Sequence, residues 1–92
     1  MFDFPDFTEE RREEEEFFQT VASNIKNIRK AKKMSQLEVA LSIGLKSPGF
    51  YASMENYANG KHFNLLHLFR LSKLFNIPIE EFFKEDDINK NK

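Results

Sequence analysis

The 92-residue sequence contains no cysteine and no tryptophan, and only three glycines and three prolines. Without cysteine the chain can form neither disulfides nor thiolate metal sites, which fits a reducing compartment. So few glycines and prolines leave little material for the turns of a strand-rich fold. No apolar run approaches the roughly 20 residues of a membrane span, and the N-terminus lacks the basic-then-apolar order of a signal peptide. We therefore expect a cytoplasmic protein without membrane contact.

The charged residues are unevenly distributed along the chain. Hydrophobic residues make up 40% of the sequence and charged residues 32%, values typical of one small globular domain. Residues 1–20 carry eight acids and two bases, whereas residues 21–84 carry ten bases and four acids. A basic body suits a polyanionic partner better than the net charge of −1 indicates. The acidic run Glu13–Glu16 has a second interpretation, as the solvated surface of a helix.

The segment 35–56 predicts two short helices joined by a tight turn. Ser35 and the glutamate three residues later form a capping box at the start of the first helix. Gly44 suits the positive φ that often follows a helix end. Ser47 then caps a second helix, with Pro48 at its first position. A helix-turn-helix of this kind presents its second helix to the major groove of DNA.

Three further helices are predicted around this motif, so the expected fold class is an all-α bundle of five helices. A long first helix runs from about Thr8 to Lys32, and its acidic start and basic end match the helix dipole. A fourth begins at Asn64, and a short fifth spans Ile79–Phe83. We expect an acidic arm and helix extension over 1–16, the main domain over 17–84 and a polar tail over 85–92.

Apolar residues on the fourth helix predict both a core face and an outward patch. The inward positions repeat at three and four residues, and they are Leu65, Leu68, Phe69, Leu71, Ser72 and Phe75. On the outward face Leu66 and Leu74 bracket Arg70, with Phe63 and Phe83 as further candidates. A large exposed apolar patch marks an interface, which fits a homodimer or a protein partner.

The N-terminal arm has two alternative roles. Phe2, Phe4 and Phe7 are too apolar for a purely solvated tail, so they are expected to dock on the bundle or on a neighbour. Alternatively, the acids of segment 9–16 fold against the basic face and compete with phosphate.

Three parts of the chain together follow a known pattern: IKNIRKAKKMSQLEVALSIGL, Met54-Glu55-Asn56, and NLLHLFRLSKLFNIPIEEFF. From about residue 22 to residue 83 the chain resembles the phage-repressor (XRE) type of helix-turn-helix transcription regulators. The resemblance implies a repressor-like bundle that binds paired half-sites of double-stranded DNA as a two-fold dimer.

The resemblance also implies roles for single residues. Arg29 and Glu55 would form a structural ion pair between the first helix and the recognition helix, Pro48–Asn56. The predicted DNA-binding residues are Gln36, Lys46, Ser47, Gly49, Phe50, Ser53, Asn56, Lys61 and His62. Gln36 lies at a helix start, where an amide suits a phosphate.

The recognition helix departs from the family pattern. With Tyr51 and Met54 facing the core, only Ser53 and Asn56 on its outward side can form hydrogen bonds to base edges, whereas Phe50 could touch a thymine methyl. Compared with the usual spacing in the family, the chain has one extra residue between Gly44 and Glu55, and segment 57–59 is a further insertion. The outward side of this helix therefore offers few of the side chains that normally read base edges.

The sequence offers no catalytic constellation and implies no cofactor. No nucleophile–base pair or glycine-rich phosphate loop is present, and His62 and His67 are spaced unsuitably for a metal site on one helix face. We therefore expect no enzyme and no metal. Two functions are considered: a dimeric, sequence-specific DNA-binding repressor, and a protein-interaction module of the same fold. The second would act, for example, as an antitoxin-like partner of another protein with weak or non-specific DNA binding.

Overall fold

The computed structural model describes residues 8–85, with side chains from residue 11 onward. Within this range no residue lies in a β-strand. There are four α-helices and two short 3₁₀ helices: α1 (Thr8–Ala31), α2 (Gln36–Ser42), α3 (Pro48–Glu55), the 3₁₀ helix Ala58–Gly60, α4 (Leu65–Phe75) and the 3₁₀ helix Ile79–Phe83. The all-α fold class is thus confirmed.

The fifth predicted α-helix is instead a 3₁₀ helix of five residues, Ile79–Phe83. Pro78 precedes it directly, and so short a segment tightens readily into 3₁₀ geometry. Two carbonyl oxygens at its end accept hydrogen bonds from α1. Asn24 Nδ2 donates to Phe82 O at 2.8 Å and to Lys84 O at 2.6 Å. These bonds fix the end of the described chain on the first helix.

Several predictions for the termini fall on residues outside the described range. These are the docking of Phe2, Phe4 and Phe7 and nearly all of the polar tail 85–92. Within the range α1 runs without a break from Thr8, so the predicted boundary between residues 16 and 17 lies inside one helix. Side chains 11–16 are exposed. The division into an arm, a domain and a tail stays a prediction.

The predicted capping chemistry is present at the start of each helix of the helix-turn-helix. Ser35 Oγ accepts from the backbone N–H of Glu38 at 3.0 Å, and Glu38 Oε1 accepts from the backbone N–H of Ser35 at 2.8 Å. Ser47 Oγ accepts from the backbone N–H of Phe50 at 3.2 Å. Between the helices Gly44 has φ +86°, a conformation that costs other residues about 1–2 kcal/mol. These local signals therefore set the helix boundaries.

The fourth helix begins with a cap that includes a histidine. Asn64 Oδ1 accepts from the backbone N–H of His67 at 2.8 Å, and the backbone N–H of Asn64 donates to His67 Nδ1 at 3.1 Å. Only an unprotonated Nδ1 can accept this bond. Burial, and then the charge of Arg70, lower the pKa of His67, which favours the ring form that the cap needs.

One hydrophobic core joins the four α-helices and the C-terminal 3₁₀ helix. Its buried side chains are Val21, Ala22, Ile25, Val39, Ala40, Ile43, Tyr51, Met54, Phe63, Leu68, Leu71, Phe75 and Phe82. Among the helices of residues 8–85, none has the length and apolar composition that crossing a membrane requires.

The inward face of α4 is narrower than predicted. Leu68, Leu71 and Phe75 are buried, but Leu65 is 76% exposed and Phe69 54% exposed. At about 100° per residue Phe69 lies about 100° around the helix from Leu68, so it leaves the core. The prediction that placed Leu65 and Phe69 inward was wrong.

The outward patch is corrected as well. Phe63 is buried, because it precedes the cap of α4 at the N′ position and, with Leu68 at N4, occupies the two positions of a hydrophobic staple. Leu74 is only half-buried. Leu66 and Phe83 are exposed as predicted.

Candidate nucleic-acid interface

The inner side of α3 is anchored by a buried polar network. The side chain of Glu55 is fully buried and its carboxylate accepts four hydrogen bonds. Arg29 Nε and Nη2 donate at 2.8 and 3.0 Å, Tyr51 Oη at 2.7 Å and Gln36 Nε2 at 3.0 Å. Arg29 Nη1 also donates to Met34 O at 2.9 Å. Helices α1, α2 and α3 therefore meet at one carboxylate.

The network is built to hold an ionised pair. Burial acts to raise the pKa of Glu55, but the hydrogen bonds from Arg29, Tyr51 and Gln36 outweigh it and lower that pKa. The hydrogen bond to Glu55 in turn raises the pKa of Arg29. Burial is the main cause of the raised pKa of Tyr51, so its hydroxyl stays a donor. In the described part of the chain every buried side-chain nitrogen and oxygen has a partner.

The outer side of α3 carries few groups that can donate or accept. Tyr51 and Met54 face the core as predicted, and Phe50 is 44% exposed. Ser53 is half-buried and its Oγ donates to Phe50 O at 2.7 Å, so this hydroxyl is engaged within the helix. Asn56 is exposed at the C-cap. The remaining predicted contacts at the helix start, Ser47 and Gly49, are also exposed.

Of the predicted basic contacts, Lys61 is the one that the structure brings to α3. Its Nζ lies 5.8 Å from the centre of the Phe50 ring, within the range of a cation–π interaction. Lys46 is exposed in the turn between α2 and α3. The ring of His62 instead stacks on Phe18 of α1, with centroids 4.0 Å apart. His62 is thus held by the first helix.

The loop after α3 explains how Lys61 reaches Phe50. Tyr57, Asn59 and Gly60 have φ values of 53°, 55° and 76°, all in the left-handed region. Asn and Gly tolerate this region well. Three left-handed residues within four positions redirect the chain, so that Lys61 returns beside α3.

Gln36 supports the inner side of α3 through a hydrogen bond to Glu55. It is half-buried and its amide is hydrogen-bonded to Glu55, so the predicted phosphate contact stays a prediction. Sequence reasoning missed this bond and the contribution of Tyr51. The spacing of Tyr51 and Glu55, four residues apart on one helix, was the available signal.

A second surface feature lies between α2 and α4, and we call it the α2–α4 groove. It is lined by apolar residues Leu41, Phe69 and Leu74 and by the basic residues Arg70 and Lys73. Arg70 Nη1 donates to the carbonyl oxygen of Ile43 at the end of α2, 2.9 Å away, and this bond links α4 to α2 beside the groove. The exposed Leu41 and Phe69 make it a candidate contact surface.

A family model described as helix-turn-helix matches residues 25–82. The chain therefore belongs to this helix-turn-helix family, of the XRE or phage-repressor type, whose members are DNA-binding regulators. No curated protein and no solved structure shows significant similarity to the chain. The matched span includes the Glu55 network and α3, whereas the acidic start of α1 precedes it.

Proposed function

We propose that the protein is a dimeric, sequence-specific DNA-binding repressor that places α3 in the major groove of its operator. The observation that carries this proposal is the two-sided character of α3. Its inner side is fixed by the Glu55 network, and its outer side is exposed from Ser47 to Phe50. A recognition helix needs this combination, because its side chains must reach base edges from a rigid platform.

Phosphate contacts would supply most of the affinity. Lys61 and Lys46 flank α3 on either side in the chain, and both are exposed. Gln36, at the start of α2, would add a neutral contact through its amide. Each lysine that neutralises a phosphate releases condensed counterions, so binding should weaken steeply with salt.

The first experiment measures duplex binding over a series of salt concentrations for Lys61→Ala and Gln36→Ala. Loss of Lys61 should weaken binding and reduce the slope of log affinity against log salt by about one. Loss of Gln36 should weaken binding with little change in slope, because the amide carries no charge. The double variant should show both effects.

Lys73→Ala is the matched control for Lys61→Ala. Lys73 Nζ lies 5.5 Å from the ring centre of Phe69, so it forms the same kind of pair on α4. Its loss should leave the salt slope unchanged. If the Lys61 and Gln36 variants bind as the unmodified protein does, the assignment of this surface is wrong. Thermal unfolding checks that the Gln36 variant keeps its fold, since Gln36 also supports Glu55.

The alternative function is a protein-interaction module of the same fold, and the α2–α4 groove favours it. Selection from a random-sequence duplex library, with the mass of the bound complex measured, separates the two functions. A palindromic consensus bound by two chains supports the dimeric repressor. No enrichment, with a stable heteromeric complex recovered that Phe69→Lys disrupts, supports the interaction module.

A further inference from the structure

We infer that Phe50 recognises the C5-methyl group of a pyrimidine in the major groove, which is a thymine methyl in unmodified DNA. This inference rests on the proposed function, because it requires α3 to enter the groove. It adds one contact by which the helix would discriminate between base pairs.

The polar side chains of α3 are poorly placed to identify bases. Glu55 is the only charged residue of the helix, and it is buried under four hydrogen bonds. Ser53 Oγ is bonded to the backbone of its own helix. Pro48 and Gly49, in the first turn, have no side-chain donor or acceptor. Paired hydrogen bonds to a purine need Arg, Lys, Asn or Gln, and α3 itself contains none of these.

Phe50 is the large exposed side chain of this helix, and its position is fixed. Its backbone N–H donates to Ser47 Oγ, and its carbonyl oxygen accepts from Ser53 Oγ. The neighbouring Tyr51 is fully buried, which sets the rotation of α3 about its axis. Phe50 therefore points outward on a helix that cannot turn to hide it.

Lys61 adds a second reason to place Phe50 against DNA. Its ammonium group lies over the Phe50 ring at 5.8 Å, so one locus presents both a cation and an apolar surface. The duplex offers the same pair of features, phosphates along the backbone and the thymine methyl as the apolar group of the major groove. A purely apolar protein partner would not match the lysine.

The expected effect follows from the burial of one methyl group. Transfer of a methyl from water to an apolar contact corresponds to about a fourfold gain in affinity. Replacing the contacted thymine by uracil, which differs only by this methyl, should weaken binding about fourfold. The protein should also bind a duplex with 5-methylcytosine at that position more tightly than one with cytosine, by a similar factor.

The experiment uses the full chain and two random-sequence duplex libraries, one made with thymine and one with uracil. Sequences enriched from the thymine library are then synthesised with thymine, uracil, cytosine or 5-methylcytosine at each conserved pyrimidine. Fluorescence anisotropy measures binding by the unmodified protein, Phe50→Ala, Phe50→Leu and the control Phe69→Ala. Phe69 is an exposed phenylalanine of α4 and should not affect the thymine-to-uracil ratio.

The expected result is a thymine-to-uracil ratio of about four at one position, lost in Phe50→Ala and largely kept in Phe50→Leu. Duplex binding with no difference between thymine and uracil would overturn the inference and leave the DNA-binding function standing. A thymine-to-uracil ratio that persists in Phe50→Ala would overturn the inference too. If that variant also loses self-association, Phe50 belongs to the contact between two copies of the chain. If neither library is bound, the proposed function itself fails.

Discussion

Replacement of Arg29 by methionine should destabilise the domain far more than loss of a surface ion pair would. The variant removes three donors, two from the carboxylate of Glu55 and one from Met34 O. Glu55 would keep hydrogen bonds only from Tyr51 and Gln36 while its side chain stays fully buried. Breaking a buried pair in this way costs about 3–5 kcal/mol.

That loss is a large share of the total, since small domains are stable by about 5–15 kcal/mol. Urea unfolding followed by far-UV circular dichroism measures it directly. The comparison is with the double variant Arg29→Met and Glu55→Gln, in which no buried charge is left. We expect the double variant to be more stable than Arg29→Met alone. Exposed ion pairs contribute less than about 1 kcal/mol. If Arg29→Met lowers the free energy of unfolding by no more than that, the buried network does not stabilise the fold as argued.

The same network makes stability depend on pH in a defined direction. The pKa of Glu55 is lowered in the folded state from an ordinary value of 4.5. Its contribution is therefore fully present above about pH 4.5 and is lost as the pH falls through the lower folded pKa. The stability difference between the unmodified protein and Glu55→Gln should shrink in acid. A difference that stays constant down to about pH 3 would contradict the assignment.

Three further predictions concern other parts of the fold. Gly44→Ala should cost about 1–2 kcal/mol in urea unfolding, because φ is +86° and the new Cβ would lie 2.9 Å from Arg70 Nη1. The free energy of unfolding should fall as the pH drops below about 6.5. There the unfolded chain protonates His67, whereas in the folded chain the cap at Asn64 keeps Nδ1 unprotonated. The variant His67→Gln should show a smaller fall. Deletion of residues 1–16 should tighten non-specific duplex binding at low salt, if the acids there compete with phosphate.

Each of these has a contrary outcome. An unchanged unfolding midpoint for Gly44→Ala would mean that the turn relaxes at little cost. A pH profile identical in the His67 variant would assign the acid sensitivity to other groups. Weaker binding after the deletion would instead support an arm that completes the fold, and no change would leave the acids of segment 9–16 without a role in binding.

Local chemistry made part of this structure predictable from sequence. Ser35, Ser47 and Asn64 each accept a hydrogen bond from a backbone N–H three residues later, and Gly44 adopts the positive φ that the absence of a Cβ permits. Such signals act over one helical turn, so they do not depend on the rest of the chain. They predicted where the helices of the core motif begin and end.

The rotation of α4 and the contributions of Gln36 and Tyr51 to the Glu55 network could not be predicted in this way. A period of three to four residues defines a stripe but leaves its centre uncertain by a large fraction of a turn. Only the packing of Leu71 and Phe75 decided that Phe69 would lie outside. The bond between Gln36 and Glu55 requires α2 and α3 to pack together, and spacing in the sequence does not report that.

The composition of α3 has a consequence for how specificity would be achieved. The proposed methyl contact by Phe50 would give about fourfold discrimination, and two half-sites in a two-fold dimer would give about sixteenfold. Specific DNA-binding proteins typically favour their sites by about 10³- to 10⁷-fold. Asn56 and the sequence-dependent shape and deformability of the duplex would have to supply most of the remainder. We therefore expect positions that no side chain contacts, such as the centre of the operator, to be as constrained in selected sequences as the position beneath Phe50.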